Sequence, residues 1–168
     1  MREIVGDLWD YYKHNGFIVC ITTNGDVNSR GEAVMGRGCA FEAKMRVSGL
    51  QYTLANRLRD NGNEVSWLTE EILSFPVKHS WRDRADLVLI RKSTLQLMAI
   101  AKDDMWKDNV FILPRPGCGN GHLSWSQVRP ILQDLPDNVW IISFGERIQD
   151  AIPSSSLVAP SPTTSLSA

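Results

Sequence analysis

The sequence predicts an α/β fold in which a largely parallel sheet lies between helical layers. Three observations carry that prediction. Residues 17–23 (FIVCITT), 110–113 and 139–144 are apolar almost throughout, the pattern of strands covered on both faces. Between such runs lie stretches whose apolar residues recur at helical spacing. Two glycine-rich loops, 24–38 and 116–121, each run from a strand into a helix.

The elements follow in order. Ile4 and Val5 belong to a first short strand, and residues 17–23 to a second rich in β-branched side chains. From Cys39 to Asn61, Phe41, Met45, Leu50, Leu54 and Leu58 stand at roughly helical spacing. Gly49 splits this stretch into two helices, and Asn61-Gly62-Asn63 ends the second. Residues 65–68 and 72–75 are strand-like. A long helix over 86–105 puts Leu87, Ile90, Leu97, Met98 and Ala101 on its inner face. Residues 110–113 form a buried strand, Ser124 caps a helix that runs to Leu132, and Pro130 is tolerated inside it. Residues 139–144 are the last strand. After Ile152 the composition turns to Ser and Pro (PSSSLVAPSPTTSLSA), too poor in apolar residues to build a core. The chain therefore divides into a domain over 1–150 and a flexible tail over 151–168.

A length of 168 residues suits one domain with a tail. A net charge of −1 argues against bulk duplex nucleic acid as a partner and leaves room for a site that takes one nucleotide. Cys20, Cys39 and Cys118 have no paired spacing and no neighbouring histidine pattern. They read as free thiols of a reducing, cytoplasmic compartment, and no metal is expected. The start, MREIVGDLWD, has no apolar core of a signal peptide, and no run of about 18 apolar residues marks a membrane span.

In an open α/β sheet, ligands sit beyond the carboxyl ends of the strands. Both glycine-rich loops, NGDVNSRGEAVMGRG at 24–38 and PGCGNG at 116–121, lie there. Exposed backbone N–H groups and a helix dipole favour an anion at such a place. Either loop alone is equally compatible with a plain left-handed turn, whereas two at one sheet edge suit a diphosphate. No Gly-Lys-Ser/Thr follows either loop, which disfavours a nucleotide triphosphatase. A third feature, FPVKHSWR at 75–82, directly follows a strand. Lys78 there is either a cleft residue, able to form a Schiff base or stabilise negative charge, or a solvated loop lysine. Trp81 reads as a packing residue.

Four segments together resemble the macrodomains, the ADP-ribose-binding α/β/α modules. They are GDLW at 6–9, the region from Thr23-Asn24 to Lys44 with VMGRGCAFEAK, FPVKHSW at 75–81, and LPRPGCGNGHLSW at 113–125. They stand in family order and cover nearly all of residues 1–146. The resemblance is greatest to the branch of the terminal ADP-ribose protein glycohydrolase and the DNA ADP-ribosyl glycohydrolase antitoxin DarG. It implies a three-layer α/β/α fold with a mostly parallel, mixed central sheet. ADP-ribose is the implied ligand, with no further cofactor.

By that resemblance Asp7 accepts a hydrogen bond from the adenine amino group, and Phe144 packs beside the adenosine. Asn24 sits against the distal ribose, and Met35, Gly36, Arg37 and Gly38 wrap that ribose and the phosphates. Gly117, Cys118, Gly119, Asn120 and Gly121 form the second phosphate loop, and Leu8, Thr23 and Pro116 complete the implied binding set. Lys78 aligns with the lysine used at the anomeric carbon. The chain departs from the family pattern in two places. Residues 25–33 are an insertion at the distal-ribose end, and Gly121 stands where the protein glycohydrolase keeps an aspartate. His122, whose imidazole can both give and take a proton, is then a candidate proton carrier, and His79 a lesser one. The implied activity is hydrolysis at the distal ribose, releasing ADP-ribose from a protein carboxylate or a nucleobase. Dephosphorylation of ADP-ribose 1″-phosphate is an alternative, as is non-catalytic capture of ADP-ribose or a cyclic derivative. A monomer without membrane partners is expected.

Overall fold

The computed structural model describes residues 1–145. The domain boundary at 150 and the tail over 151–168 lie outside the described residues. The elements run β1 (Arg2–Val5), a 3-10 turn (Leu8–Tyr11), β2 (Phe17–Thr23), α1 (Gly38–Arg46), α2 (Leu50–Asn61), β3 (Ser66–Trp67) and β4 (Ile72–Pro76). They continue with α3 (Leu87–Lys102), β5 (Val110–Pro114), α4 (Trp125–Leu132) and β6 (Val139–Ser143). One six-stranded sheet has the order β1-β6-β5-β2-β4-β3. Every pairing is parallel except β3 with β4, so the sheet is mixed at that edge alone.

Strands β2, β5 and β6 lack polar alternation because both sheet faces are covered there, whereas the edge strand β1 is largely exposed. Ile18 and Cys20 of β2 share one core with Leu73, Phe75, Phe111 and Leu113, closed by Ile90 and Leu97 of α3 and Val128 and Leu132 of α4. Val19 and Ile21, one residue out of phase, share the other core with Ile72, Ile112 and Ile142, closed by Ala40, Ala43, Leu50 and Leu54 of α1 and α2. The period-two alternation survives as a choice between two apolar layers. Each fully buried aliphatic side chain contributes about 1.5–3 kcal/mol, so both layers hold the sheet.

Three expectations are corrected in detail. Phe41 and Met45 do not face the core; they are exposed by 43% and 69%, and Ala40 and Ala43 are the inward residues of α1. Small side chains there let the helix close on the sheet, and the larger pair is left outside. In α3 the buried face is Leu89, Ile90, Ser93, Thr94, Leu97 and Ala101, while Leu87 and Met98 are only partly buried at its margin. The buried hydroxyls are satisfied: Ser93 Oγ donates to the Pro76 carbonyl at 2.7 Å and Thr94 Oγ1 to that of Ile90 at 2.7 Å. The helix ends at Lys102, short of Met105. Gly49 does separate α1 from α2, in a left-handed conformation. Ser124 does cap α4, through a reciprocal capping box with Gln127.

The Pro76–Ser93 bond fixes the carboxyl end of β4 against α3, and that end carries the chain into Lys78. The carboxyl ends of β2, β5 and β6 open at the same side of the sheet, with β2 flanked on its two sides by β4 and β5. Connections there diverge to opposite layers, which leaves a crevice.

Candidate functional site

A cleft of about 860 Å³ occupies that crevice. Volumes of this order accommodate a drug-sized or nucleotide-sized molecule. Asp7, Leu8, Thr23, Asn24, Met35, Gly36, Arg37, Gly38, Lys78, Gly117, Cys118, Gly119, Asn120, Gly121, His122 and Phe144 all line it. Pro116 does not: it is buried in the turn behind the loop.

One wall is the start of α1. Its cap residue, Arg37, makes no side-chain capping bond, and its first turn carries no acid. The first N–H groups of the helix therefore face the cleft uncapped, with the positive end of the dipole behind them. The opposite wall is the loop after β5, closed by Cys118 N–H to the Arg115 carbonyl (3.3 Å), His122 N–H to that of Gly119 (3.1 Å) and Leu123 N–H to that of Gly117 (2.9 Å). The N–H groups of Gly119, Asn120 and Gly121 take no part in the loop's backbone bonds. Two sets of unspent donors thus border one cavity, an arrangement suited to a diphosphate.

The floor and ends supply specific polar groups. Asp7 Oδ1 accepts the Trp9 N–H at 2.9 Å, capping the 3-10 turn and fixing the carboxylate at the cleft edge. Thr23 Oγ1 and Trp9 Nε1 are buried without a hydrogen-bond partner among the described residues, and both residues line the cleft. Buried orphans of this kind call for a ligand or water. Asn24 is partly committed: Nδ2 donates to the Val34 carbonyl and Oδ1 accepts the Asp26 N–H, each at 3.0 Å. One amide proton and one lone pair remain for a ligand. Lys78 Nζ lies 3.5 Å from the Trp81 carbonyl oxygen.

The two histidines separate. His122 is exposed in the cleft lining with φ of 60°, a left-handed conformation uncommon outside glycine, and its carbonyl accepts Arg84 Nη2 at 2.7 Å. His79 instead binds Asp86 Oδ2 through Nε2 at 2.7 Å and stands outside the cleft. Hydrogen bonds from His79 and from the Val88 N–H hold the Asp86 carboxyl below its ordinary range. Cys118 lies in the phosphate loop, yet burial pushes its thiol up to about 11, against a smaller opposing effect of Arg115. It is a thiol at neutral pH and no nucleophile. No cluster of potential metal ligands exists among the described residues.

Sequence reasoning missed Arg115, which lines the cleft with its guanidinium 4.7 Å from the Trp125 ring centre. Trp125 Nε1 donates to Glu3 Oε1 at 3.0 Å, and Arg129 holds the other oxygen of Glu3. Nothing local signals this stack, since Glu3 and Trp125 are far apart in the chain. Trp81, read as a packing residue, is about half exposed (49%) at the cleft mouth.

Among solved structures, the macrodomain of Mycobacterium tuberculosis DarG superposes with a TM-score of 0.62 at 22% identity, over 83% of this chain and 96% of that one. The fold is a macrodomain. The macrodomain of Thermus aquaticus DarG gives a TM-score of 0.62 and 22% identity, over 84% of this chain and 97% of that one. Thermosipho africanus DarTG, solved in complex with ADP-ribose, gives 0.67 and 20%, over 89% of this chain but 44% of that one. This chain therefore spans less than half of the DarTG chain it matches. No protein-family model matches the sequence, and no curated protein matches it. At such identities the macrodomain likeness establishes architecture, and activity has to be argued from the site.

Proposed function

We propose that this macrodomain binds ADP-ribose and hydrolyses a bond at its distal ribose, releasing ADP-ribose from a modified protein or nucleic acid. The observation that carries the reading is the pair of unspent backbone donor sets, at the start of α1 and at 119–121, bordering one cleft whose lining includes Lys78. The ADP-ribose complex of the similar Thermosipho africanus DarTG supports the choice of ligand. In this reading the diphosphate lies between the two loops, and Asp7 and Phe144 receive the adenosine. Thr23 and Asn24 face the distal ribose with their remaining polar atoms.

Hydrolysis breaks the bond between the anomeric carbon and the acceptor atom, whose electron pair leaves with the acceptor. Water oxygen ends on the anomeric carbon and its proton on the acceptor. In this reading Lys78 supplies the positive charge that stabilises the departing group, and His122, in the same cleft lining, moves the proton. Lys78→Ala is expected to lower turnover by about 10²–10⁴-fold, the range for loss of a positioned charge or acid–base group. Its ADP-ribose affinity should stay near the wild-type value, because the phosphates rest on backbone. Equal turnover in that variant removes Lys78 from the mechanism.

A second reading, a non-catalytic reader of ADP-ribose, is favoured by one observation. A side chain at position 121 would bring its Cβ to 2.5 Å from the Gly117 carbonyl oxygen, so no acid fits there. Prolonged incubation of ADP-ribosylated protein and ADP-ribosylated DNA with high concentrations of the chain separates the readings. Release of free ADP-ribose from either supports hydrolysis; ligand bound and returned unchanged supports the reader.

A further inference from the structure

We infer that Asp26, in the hairpin that follows β2, is a positioning residue for Lys78 that acts through the backbone of Trp81. The inference rests on the proposed hydrolysis for its kinetic readout, but not for its chemical one.

The inserted segment is a small hairpin with its own bracing. Val34 N–H donates to the Asp26 carbonyl at 3.0 Å, and Val27 and Ala33 form an antiparallel bridge. At the tip, Asn28 Oδ1 accepts the N–H groups of Arg30 and Glu32, each at 3.0 Å. At the neck, the Asn24 amide ties the Asp26 N–H to the Val34 carbonyl. The Ala33 N–H donates to the Gln51 carbonyl at 2.9 Å, which anchors the hairpin on α2. The Asp26 carboxylate is therefore held by the body of the fold.

That carboxylate reaches across to the loop after β4. Oδ2 accepts Ser80 Oγ at 2.8 Å and the Trp81 N–H at 2.9 Å. The other face of the same residue, the Trp81 carbonyl oxygen, stands 3.5 Å from Lys78 Nζ. The flanking backbone is held from the same side: the Gly25 N–H donates to the His79 carbonyl at 3.2 Å, and Asn63 Nδ2 to that of Lys78 at 2.9 Å. A Cβ at position 25 would sit 2.7 Å from the His79 oxygen, so the approach requires glycine. Residues 81–84 are exposed and contribute nothing to either core. The turn is rooted in the core by Val77 and Ala85 and braced by the Asp83 N–H to the Ser80 carbonyl (3.1 Å). At its exposed tip the Asp26 bonds orient the backbone of Trp81, and with it the lysine. Bonds to an ionised carboxylate are the stronger kind.

The test compares Asp26→Ala, Asp26→Asn and Asn28→Ala, the last loosening the tip of the same hairpin without touching the Lys78 loop. Asp26→Ala is expected to lower kcat on an ADP-ribosylated substrate by roughly ten- to a hundredfold, the cost of a catalytic group misplaced by about an ångström. KM and ADP-ribose affinity should stay within about twofold, as for a group that acts only on the chemical step. Asp26→Asn should restore most of kcat, since its amide oxygen accepts both donors. Asn28→Ala should behave as wild type. The chemical readout is the rate at which an N-hydroxysuccinimide ester acylates Lys78, followed by mass spectrometry of its peptide. That rate should change in Asp26→Ala and hold in Asn28→Ala. If the alanine variant does not fold, Ser80→Ala removes one of the two donors, leaves the Trp81 N–H bond in place, and enters the same assays with a smaller loss in the same direction expected. Wild-type kcat and acylation in Asp26→Ala overturn the inference, as does an equal loss in Asn28→Ala or in Asp26→Asn. A wild-type protein without turnover counts against hydrolysis, and acylation alone then decides the role of Asp26.

Discussion

Gly121 occupies a position with no space for a side chain. A Cβ there would lie 2.5 Å from the Gly117 carbonyl oxygen and 2.7 Å from Ala85 Cβ, whereas one at Gly119 would meet nothing within 4 Å. Gly121→Ala should therefore destabilise the domain by about 1–3 kcal/mol, the usual cost of forced overpacking, and Gly119→Ala should stay within about 0.5 kcal/mol. Chemical denaturation of both variants checks this; equal stability of the pair contradicts the geometry. Glycine at 121 is thus a demand of the loop's own backbone. A second residue-scale effect comes from Asp86. Its carboxyl titrates below its ordinary value of 3.8 because His79 and the Val88 N–H bind the ionised form. A depressed carboxyl stabilises the fold above the unfolded value and loses that contribution as pH falls through the folded one. The stability difference between wild type and Asp86→Asn should accordingly grow as pH rises from about 2 to 5. A difference constant across that window contradicts the assignment.

At the scale of elements, legibility follows the range of the forces. The strands β2, β5 and β6 were legible because burial on both faces leaves an apolar run rich in β-branched residues. Ser124 and Gly49 were legible because caps and left-handed turns are local chemistry. The inward face of α1 was not. Phe41 and Met45 carry the apolar signal, but the sheet accepts Ala40 and Ala43, a matter of fit between layers that no period reports. The 3-10 turn at Leu8–Tyr11 is too short to show a period at all. In the site, the glycine loops and Lys78 stood out by composition and position. The bonds from Asp26 to residues 80 and 81 did not, because they join parts of the chain 54 and 55 residues apart. Residues 25–33 drew notice in the sequence only as a departure from the family pattern; the contacts of Asp26 with the loop after β4 arise from the folded chain.

At the scale of the molecule, a chain of net charge −1 concentrates cations at its cleft. Arg37, Lys78, Arg82, Arg84 and Arg115 line it, against Asp7, Glu42 and Asp83. A cavity of that character, between two helix-and-loop donor sets in a macrodomain fold, is matched to a dianionic nucleotide without any net basic field. The account's central claim is that this cleft binds ADP-ribose on backbone donors, and calorimetric titration of the chain with ADP-ribose tests it most directly. The predicted result is saturable one-to-one binding, retained in Lys78→Ala; absence of binding at millimolar ADP-ribose would contradict the account.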